Sequence, residues 1–129
     1  MMRIYHNPKC GTSRNVLAAI RASGTEPAVV LYLETGWTVA QLQALFAAAG
    51  LTPRAALRAK EGAGLETADD AALLAAMVAR PILVERPFVE APKGVRLCRP
   101  SELVLALLER PLPADFVKEN GQPMLAVAP

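Results

Sequence analysis

Residues 3–33 read RIYHNPKCGTSRNVLAAIRASGTEPAVVLYL, and this stretch determines the predicted fold. Residues 3–6 form a short β-like run, and residues 7–12 supply turn and cap residues. Apolar residues then recur at helical spacing, and residues 28–33 (AVVLYL) form a continuous apolar run typical of a buried parallel strand. The stretch therefore predicts a β-α-β unit, a connection that is right-handed in nearly all proteins.

The remainder of the chain continues with a helical part and then a second extended part. Thr38, Thr52 and Asp69 are good N-cap residues for successive helices, which places a helical insertion at about 38–80. Two short β runs around a turn containing Pro and Gly (88–98) predict an antiparallel hairpin, and a final helix follows. The order β-α-β, helical insert, β-β-α predicts an α/β, thioredoxin-like (glutaredoxin-type) fold with a mixed sheet.

The size and composition of the chain suit one compact domain. It has 129 residues, of which 53% are apolar and 20% charged. We expect a single domain over residues 1–110, followed by an extended, loosely held tail over 111–129 that contains Pro113, Pro123 and Pro129. The formal net charge of +2 argues against a nucleic-acid interface or a polybasic membrane segment.

The location of the protein is also predicted from the sequence. No apolar stretch reaches the roughly 18 residues of a membrane span, and the N-terminus lacks the apolar core of a secretory signal. We therefore expect a cytoplasmic protein without membrane association. In such a reducing compartment the two cysteines, Cys10 and Cys98, are not expected to form a structural disulfide.

Cys10 is the candidate nucleophile because it follows a predicted strand and precedes a predicted helix. Backbone N–H groups and the positive end of the helix dipole favour a thiolate there, and the same geometry binds anions. His6 and Lys9 could add positive charge, and the Ser13 hydroxyl could donate a hydrogen bond to the sulfur. The alternative is an inert, buried cysteine, which the polar flanking residues (Asn-Pro-Lys and Gly-Thr-Ser) disfavour.

A second thiol is not found at the usual redox spacing. Ser13 stands where a C-x-x-C motif would have its second cysteine, so a resolving thiol must come from outside or from Cys98. Cys98 lies between Leu97 and Arg99 on a predicted strand, where a packing role is favoured. A tyrosine-phosphatase loop would need Arg six positions after Cys10, and that position is Val16, so that function is excluded.

Six segments of the chain form a recognisable series: HNPKCGTSRN (6–15), SGTEP (23–27), LYLE (31–34), RAALR (54–58), RPILVERP (80–87) and RLCRPSE (96–102). In this order they closely resemble the glutathione/glutaredoxin-dependent arsenate reductase family, which is ArsC-like and belongs to the thioredoxin-like superfamily. The matches cover roughly residues 3–110, and their combination is far more specific than a lone cysteine motif.

The resemblance implies a role for each matched residue. Cys10 would attack arsenate at arsenic, while Arg58, Arg86 and Arg99 would bind the oxyanion. His6 would help to keep the cysteine ionised, and Ser13 would place its hydroxyl beside the sulfur. In this fold the proline that opens the third strand is commonly cis and lies opposite the active cysteine, which predicts a cis peptide bond at Pro87.

The resemblance also implies the other reactants. Glutathione would be the co-substrate and glutaredoxin the protein reductant, arsenite would be the product, and no metal or bound organic cofactor would take part. We expect a monomer. For each of the three arginines, the alternative to anion binding is a surface ion pair. The segment after Arg58 is shorter than in the best-known members of the family.

Two alternative functions stay open at this point. One is a general glutathione-linked thiol oxidoreductase of the same fold, which needs Cys10 and His6 but not all three arginines. The other is a non-enzymatic relative resembling the regulators of this superfamily that bind RNA polymerase. Those regulators usually carry C-x-x-C, which is absent from this chain.

Overall fold

The structure is a computed structural model that describes residues 1–126, so Pro129 and the last part of the predicted tail lie outside the described residues. Two compact units divide the chain. The first contains Met1–Leu31 and the chain from Arg86 onward, and the second is Tyr32–Glu85. The helices predicted over 38–80 belong to the second unit.

A four-stranded mixed sheet organises the first unit, in the order β2-β1-β3-β4. Its strands are β1 (Arg3–Tyr5), β2 (Ala28–Val30), β3 (Phe88–Ala91) and β4 (Gly94–Leu97). The parallel pair β1–β2 sets Ile4 opposite Val29, whereas the antiparallel pair β1–β3 sets Ile4 opposite Val89. β3 and β4 form the predicted hairpin. The predicted order of elements and the mixed sheet are therefore confirmed.

The core of the first unit lies between this sheet and the helix α1 (Gly11–Ala22). Ile4 and Val89 of the sheet and Val16 and Ile20 of the helix have no exposed surface. Burial of one such side chain stabilises the fold by about 1.5–3 kcal/mol. The packing of these apolar faces fixes the direction of α1 and therefore the position of its amino end, which Cys10 caps.

The second strand differs from its prediction as a buried strand over 28–33. β2 ends at Val30 and lies at the edge of the sheet, where Val29 is 37% exposed. The chain then enters a short helix, α2 (Tyr32–Thr35). The buried residue of the apolar run is Tyr32, whose ring stacks on Trp37 at a centroid distance of 5.5 Å. The apolar run is therefore not a central strand. Its end contributes Tyr32 to the buried core of the helical second unit.

The helices of the second unit begin at the predicted caps. They are α3 (Val39–Ala49), α4 (Pro53–Ala56) and α5 (Asp70–Ala79), with short 3₁₀ segments at Ala59–Glu61 and Pro81–Leu83. The Thr38 hydroxyl accepts a hydrogen bond from Gln41 N at 3.1 Å, within a reciprocal capping box. The side chains of Thr52 and Asp69 cap α4 and α5 by accepting hydrogen bonds from Ala55 N and Ala72 N, respectively. The hydrogen bonds at these three helix N-termini are therefore the ones expected from the N-cap residues in the sequence.

The last part of the first unit contains one element that differs from its prediction. The final predicted helix is a 3₁₀ segment (Ser101–Leu107). In the residues that follow, Met124 is 7% exposed within the core, and Leu112 and Phe116 pack against that core. Apolar side chains spaced along an irregular segment anchor it without any regular periodicity.

No helix within residues 1–126 is long and apolar enough to cross a membrane. Over the same residues, no three His, Cys, Asp or Glu side chains group together as a metal-binding set.

Candidate active site

Cys10 is the N-cap residue of α1 and ends a tight loop that follows β1. The loop is organised by Asn7, which is 2% exposed. The Asn7 side-chain oxygen accepts a hydrogen bond from Lys9 N at 2.9 Å, and its backbone carbonyl accepts one from Cys10 N at 3.0 Å. These local bonds place the half-buried Cys10 thiol at the amino end of the helix, where the dipole favours an anion.

Three groups stabilise the thiolate of Cys10. Arg99 Nη1 lies 3.8 Å from the sulfur, and the Arg86 side chain and the backbone N–H of Ser13 also donate to it. Burial alone would raise the pKa of the Cys10 thiol. The donors and the positive charge of Arg86 outweigh burial, and together they hold the pKa below its usual value. The expected reactive environment is thus present.

Two of the three predicted arginines belong to this group. The Arg86 side chain is buried, whereas Arg99 is exposed, and Arg99 Nη1 also donates to the Arg86 carbonyl oxygen at 3.4 Å. Two guanidinium groups therefore converge on one sulfur, an arrangement suited to an oxyanion beside a thiolate.

The Arg86–Pro87 peptide bond is cis, the isomer expected from the sequence, and the Arg99–Pro100 bond is cis as well.

His6 and Ser13 are brought together, but their contacts differ from the expectation. His6 Nδ1 and Ser13 Oγ are 2.6 Å apart, and Ser13 Oγ also accepts from Asn7 N at 3.1 Å. The Ser13 hydroxyl is thus engaged by the loop, and the backbone N–H of Ser13 stabilises the sulfur instead. Burial, followed by the charges of Arg21 and Arg14, lowers the pKa of His6. His6 is therefore neutral near pH 7 and supplies no positive charge to Cys10.

The third predicted arginine, Arg58, lies in the second unit beside two carboxylates. Its Nε is 2.8 Å from Glu61 Oε2, and its Nη1 is 3.3 Å from Glu85 Oε1. Arg58 N also donates to Leu83 O at 2.7 Å, which fixes its backbone. Arg58 therefore forms ion pairs, which the sequence analysis gives as the alternative to anion binding. An anion bound by this guanidinium would compete with Glu61 and Glu85.

Cys98 has the packing role favoured by the sequence. The residue is fully buried within the core of the first unit, and burial raises the pKa of its thiol to about 12. Both cysteines are free in the structure. A thiol that is neither accessible nor ionised is a poor resolving nucleophile.

Arg14 is a residue of this site that the sequence analysis missed. Its Nη1 donates to Pro8 O at 2.9 Å, which ties the helix to the loop that carries Cys10. Its Nε and Nη2 contact the two carboxylate oxygens of Glu119 at 2.7 and 3.0 Å. No local signal in the sequence could have indicated the contact with Glu119, which is 105 residues away in the chain.

Comparison with known proteins gives consistent matches over most of the chain. The sequence profile of the ArsC family matches residues 5–107. Arsenate reductase ArsI2 of Synechocystis is 56% identical over 95% of this chain and 91% of its own length. An arsenate reductase of Rhizobium meliloti is 52% identical over 95% and 91%, respectively.

Solved structures support the fold in the same way. The structure of an arsenate reductase from Vibrio cholerae is similar with a TM-score of 0.76 and 42% sequence identity. The match covers 83% of this chain and 97% of that one. Together with the mixed sheet, this similarity confirms the predicted thioredoxin-like fold.

Proposed function

The chain belongs to the ArsC family, and from that premise we propose that it is an arsenate reductase in which Cys10 is the nucleophile. The observation that carries the proposal is the convergence of Arg86 and Arg99 on the Cys10 sulfur, whose pKa is lowered. A thiolate beside two fixed cations suits attack on an electrophilic oxyanion.

The first step requires two anions to approach each other. The Cys10 thiolate and arsenate repel one another, and the guanidinium groups of Arg86 and Arg99 offset that repulsion. Each charge-assisted hydrogen bond contributes about 1.5–3 kcal/mol, and an arginine can offer two parallel N–H groups to one oxyanion. We assign Arg86 and Arg99 to binding the arsenate oxygens.

We propose that arsenic binds two sulfur atoms in turn before it is reduced. The Cys10 sulfur forms a bond to arsenic(V), and one arsenate oxygen leaves as water after taking up protons. The glutathione thiol adds to arsenic, and a second oxygen leaves as water. A glutaredoxin thiolate then attacks the glutathione sulfur. The bond between that sulfur and arsenic breaks, its electron pair reduces arsenic to arsenic(III), and hydrolysis of the Cys10–arsenic bond releases arsenite.

Glutathione as co-substrate and glutaredoxin as protein partner are proposed because the chain offers no second accessible thiol among its described residues. Cys98 is buried and its thiol has a pKa of about 12. The electrons must then come from outside the chain. No bound cofactor enters these steps. The proposal further assigns a cytoplasmic location and a monomeric state, which agree with an external, diffusible reductant.

His6, Ser13 and Arg58 support the reaction in different ways. The neutral His6 holds the Ser13 hydroxyl at 2.6 Å, which keeps the first turn of α1 in place for its N–H to reach the sulfur. We assign Arg58 as a third arsenate ligand on the strength of the family resemblance. That role requires its guanidinium to exchange Glu61 or Glu85 for the anion.

The test is arsenite production by the purified protein with arsenate, glutathione and glutaredoxin, with each component omitted in turn. We expect turnover only with all of them, none in Cys10→Ser, and nearly unchanged turnover in Cys98→Ala. A large loss in Cys98→Ala would indicate an intramolecular disulfide instead. Absence of turnover while Cys10 still reacts with glutathione disulfide would favour the general thiol oxidoreductase.

A further inference from the structure

The segment near the carboxyl end of the chain forms a well-defined turn, here named the C-terminal turn (Lys118–Gly121). Gly121 N donates to Lys118 O at 2.9 Å, and Lys118 N donates to Gln122 O at 2.8 Å. An antiparallel bridge between Val117 and Pro123 closes its base. The turn is therefore an ordered element, although it belongs to no helix or sheet.

One side of the C-terminal turn contacts the helix that begins at Cys10. The Glu119 carboxylate binds the Arg14 guanidinium at 2.7 and 3.0 Å, and Glu119 N donates to Asn15 Oδ1 at 2.9 Å. Arg14 in turn donates to Pro8 O. A Cβ built on Gly11 would lie 3.6 Å from Arg14 Nη2 and 3.9 Å from Glu119 Oε1. The ion pair thus covers the residue next to Cys10.

The other side of the C-terminal turn contacts the segment that follows Arg99. Lys118 Nζ donates to the carboxylate of Glu102, which also accepts a hydrogen bond from Ser101 Oγ at 3.1 Å. Neighbouring residues of one turn therefore bind two segments that are far apart in the chain. One segment carries the nucleophile, and the other carries an arginine that contacts it.

We propose that the C-terminal turn is a positioning element, which holds the Cys10 loop and the Arg99 segment at the separation that the sulfur–guanidinium contact requires. Arg99 Nη1 reaches the Cys10 sulfur at 3.8 Å, so a small displacement of either segment weakens the contact. Lys118 and Glu119 act through Glu102 and Arg14, and are positioning residues. Of the measurements that test this role, only the KM for arsenate rests on the proposed function.

The test uses the double variant Lys118→Met/Glu119→Gln, which leaves the net charge of the protein unchanged. We expect the pKa of Cys10, measured by iodoacetamide alkylation against pH, to rise, and amide hydrogen exchange over residues 7–14 to become faster. The KM for arsenate should rise about threefold, the scale of one exposed ion pair, with a smaller change in kcat. If only the charges near Cys10 mattered, the pKa of its thiol would fall, because the freed Arg14 cation would stabilise the thiolate.

The matched control is Glu26→Gln/Lys93→Met, which removes the same charges elsewhere in the same unit. Glu26 accepts from Arg21 at the far end of α1, and Lys93 Nζ donates to Leu108 O at 2.7 Å. Thermal unfolding verifies that both double variants fold. A Cys10 pKa and an exchange rate in Lys118→Met/Glu119→Gln equal to the control, or a lowered pKa, would overturn the positioning role. Alkylation and exchange need no arsenate, so they remain decisive if arsenate is not the substrate.

Discussion

The sulfur of Cys10 is stabilised by groups from three separate parts of the first unit. The Ser13 N–H comes from the first turn of α1, Arg86 lies two residues before β3, and Arg99 lies two residues after β4. Their combined effect exceeds the burial that would raise the thiol pKa. The sequence identified these residues through their types and the family resemblance. The structure adds the backbone N–H of Ser13 as a donor to the sulfur, while the Ser13 hydroxyl lies 2.6 Å from His6 Nδ1.

A titration of His6 tests the structure at the scale of a single residue. His6 is the one histidine of the chain, so its imidazole NMR signal is unambiguous. Burial and the nearby Arg21 and Arg14 lower its pKa from 6.5, so we expect a midpoint below that value. A midpoint at or above 6.5 would contradict both the burial of the ring and the view that it is neutral beside Ser13.

The same shift predicts a pH dependence of stability. The unfolded chain protonates His6 near pH 6.5, while the folded protein does so at lower pH. His6 therefore imposes no penalty above pH 6.5, and the free energy of unfolding falls as the pH drops from there toward the folded pKa. Urea unfolding at several pH values should show this loss in the wild type and a weaker loss in His6→Gln. Equal losses in both proteins would assign the pH dependence to other groups.

Elements with local signals in the sequence were predicted well, and elements defined by their neighbours were not. Thr38, Thr52 and Asp69 form the predicted caps because a cap depends on residues within one turn. The extent of β2 was wrong because six apolar residues do not reveal whether a strand continues or a buried helix begins. The 3₁₀ segment Ser101–Leu107 was predicted only as a helix, since its apolar spacing does not distinguish the two hydrogen-bond patterns.

The capping box of α3 gives a prediction at the scale of one element. Thr38→Ala removes the hydroxyl that accepts from Gln41 N. It should lower the free energy of unfolding by about 1 kcal/mol in urea titration. Thr38→Ser keeps the oxygen and should retain most of that stability. If the alanine and serine variants were equally stable, the cap would have no energetic role in the folded protein.

At the scale of the whole molecule, contacts between residues that are far apart in the chain could not be predicted from the sequence. Glu119 binds Arg14, and Met124 enters a core built mainly from α1, the sheet and the 3₁₀ segment. A proline-containing segment without periodicity gives no sign of either contact. The predicted insertion at 38–80 lies within the second unit, Tyr32–Glu85. The division into one domain at 1–110 and a tail stays a prediction.

The anchoring of the final segment is testable with two adjacent residues. Met124 is 7% exposed and Leu125 is 68% exposed. Met124→Ala should lower the free energy of unfolding by about 2 kcal/mol or more, as for other buried methionines. Leu125→Ala should change it by less than about 0.5 kcal/mol. Urea unfolding compares the two, and a Met124→Ala protein as stable as the wild type would show that the segment is held loosely after all.

We propose that Cys10, Arg86 and Arg99 form one site for arsenate. Its most direct test is the protection of Cys10 against iodoacetamide by arsenate, in a Cys98→Ala background that leaves a single thiol. Arsenate should slow alkylation saturably in that protein. Protection should be lost in Arg86→Ala and Arg99→Ala, although their thiols still react. Alkylation that arsenate does not slow, or protection that survives in both arginine variants, would contradict an oxyanion site at this sulfur.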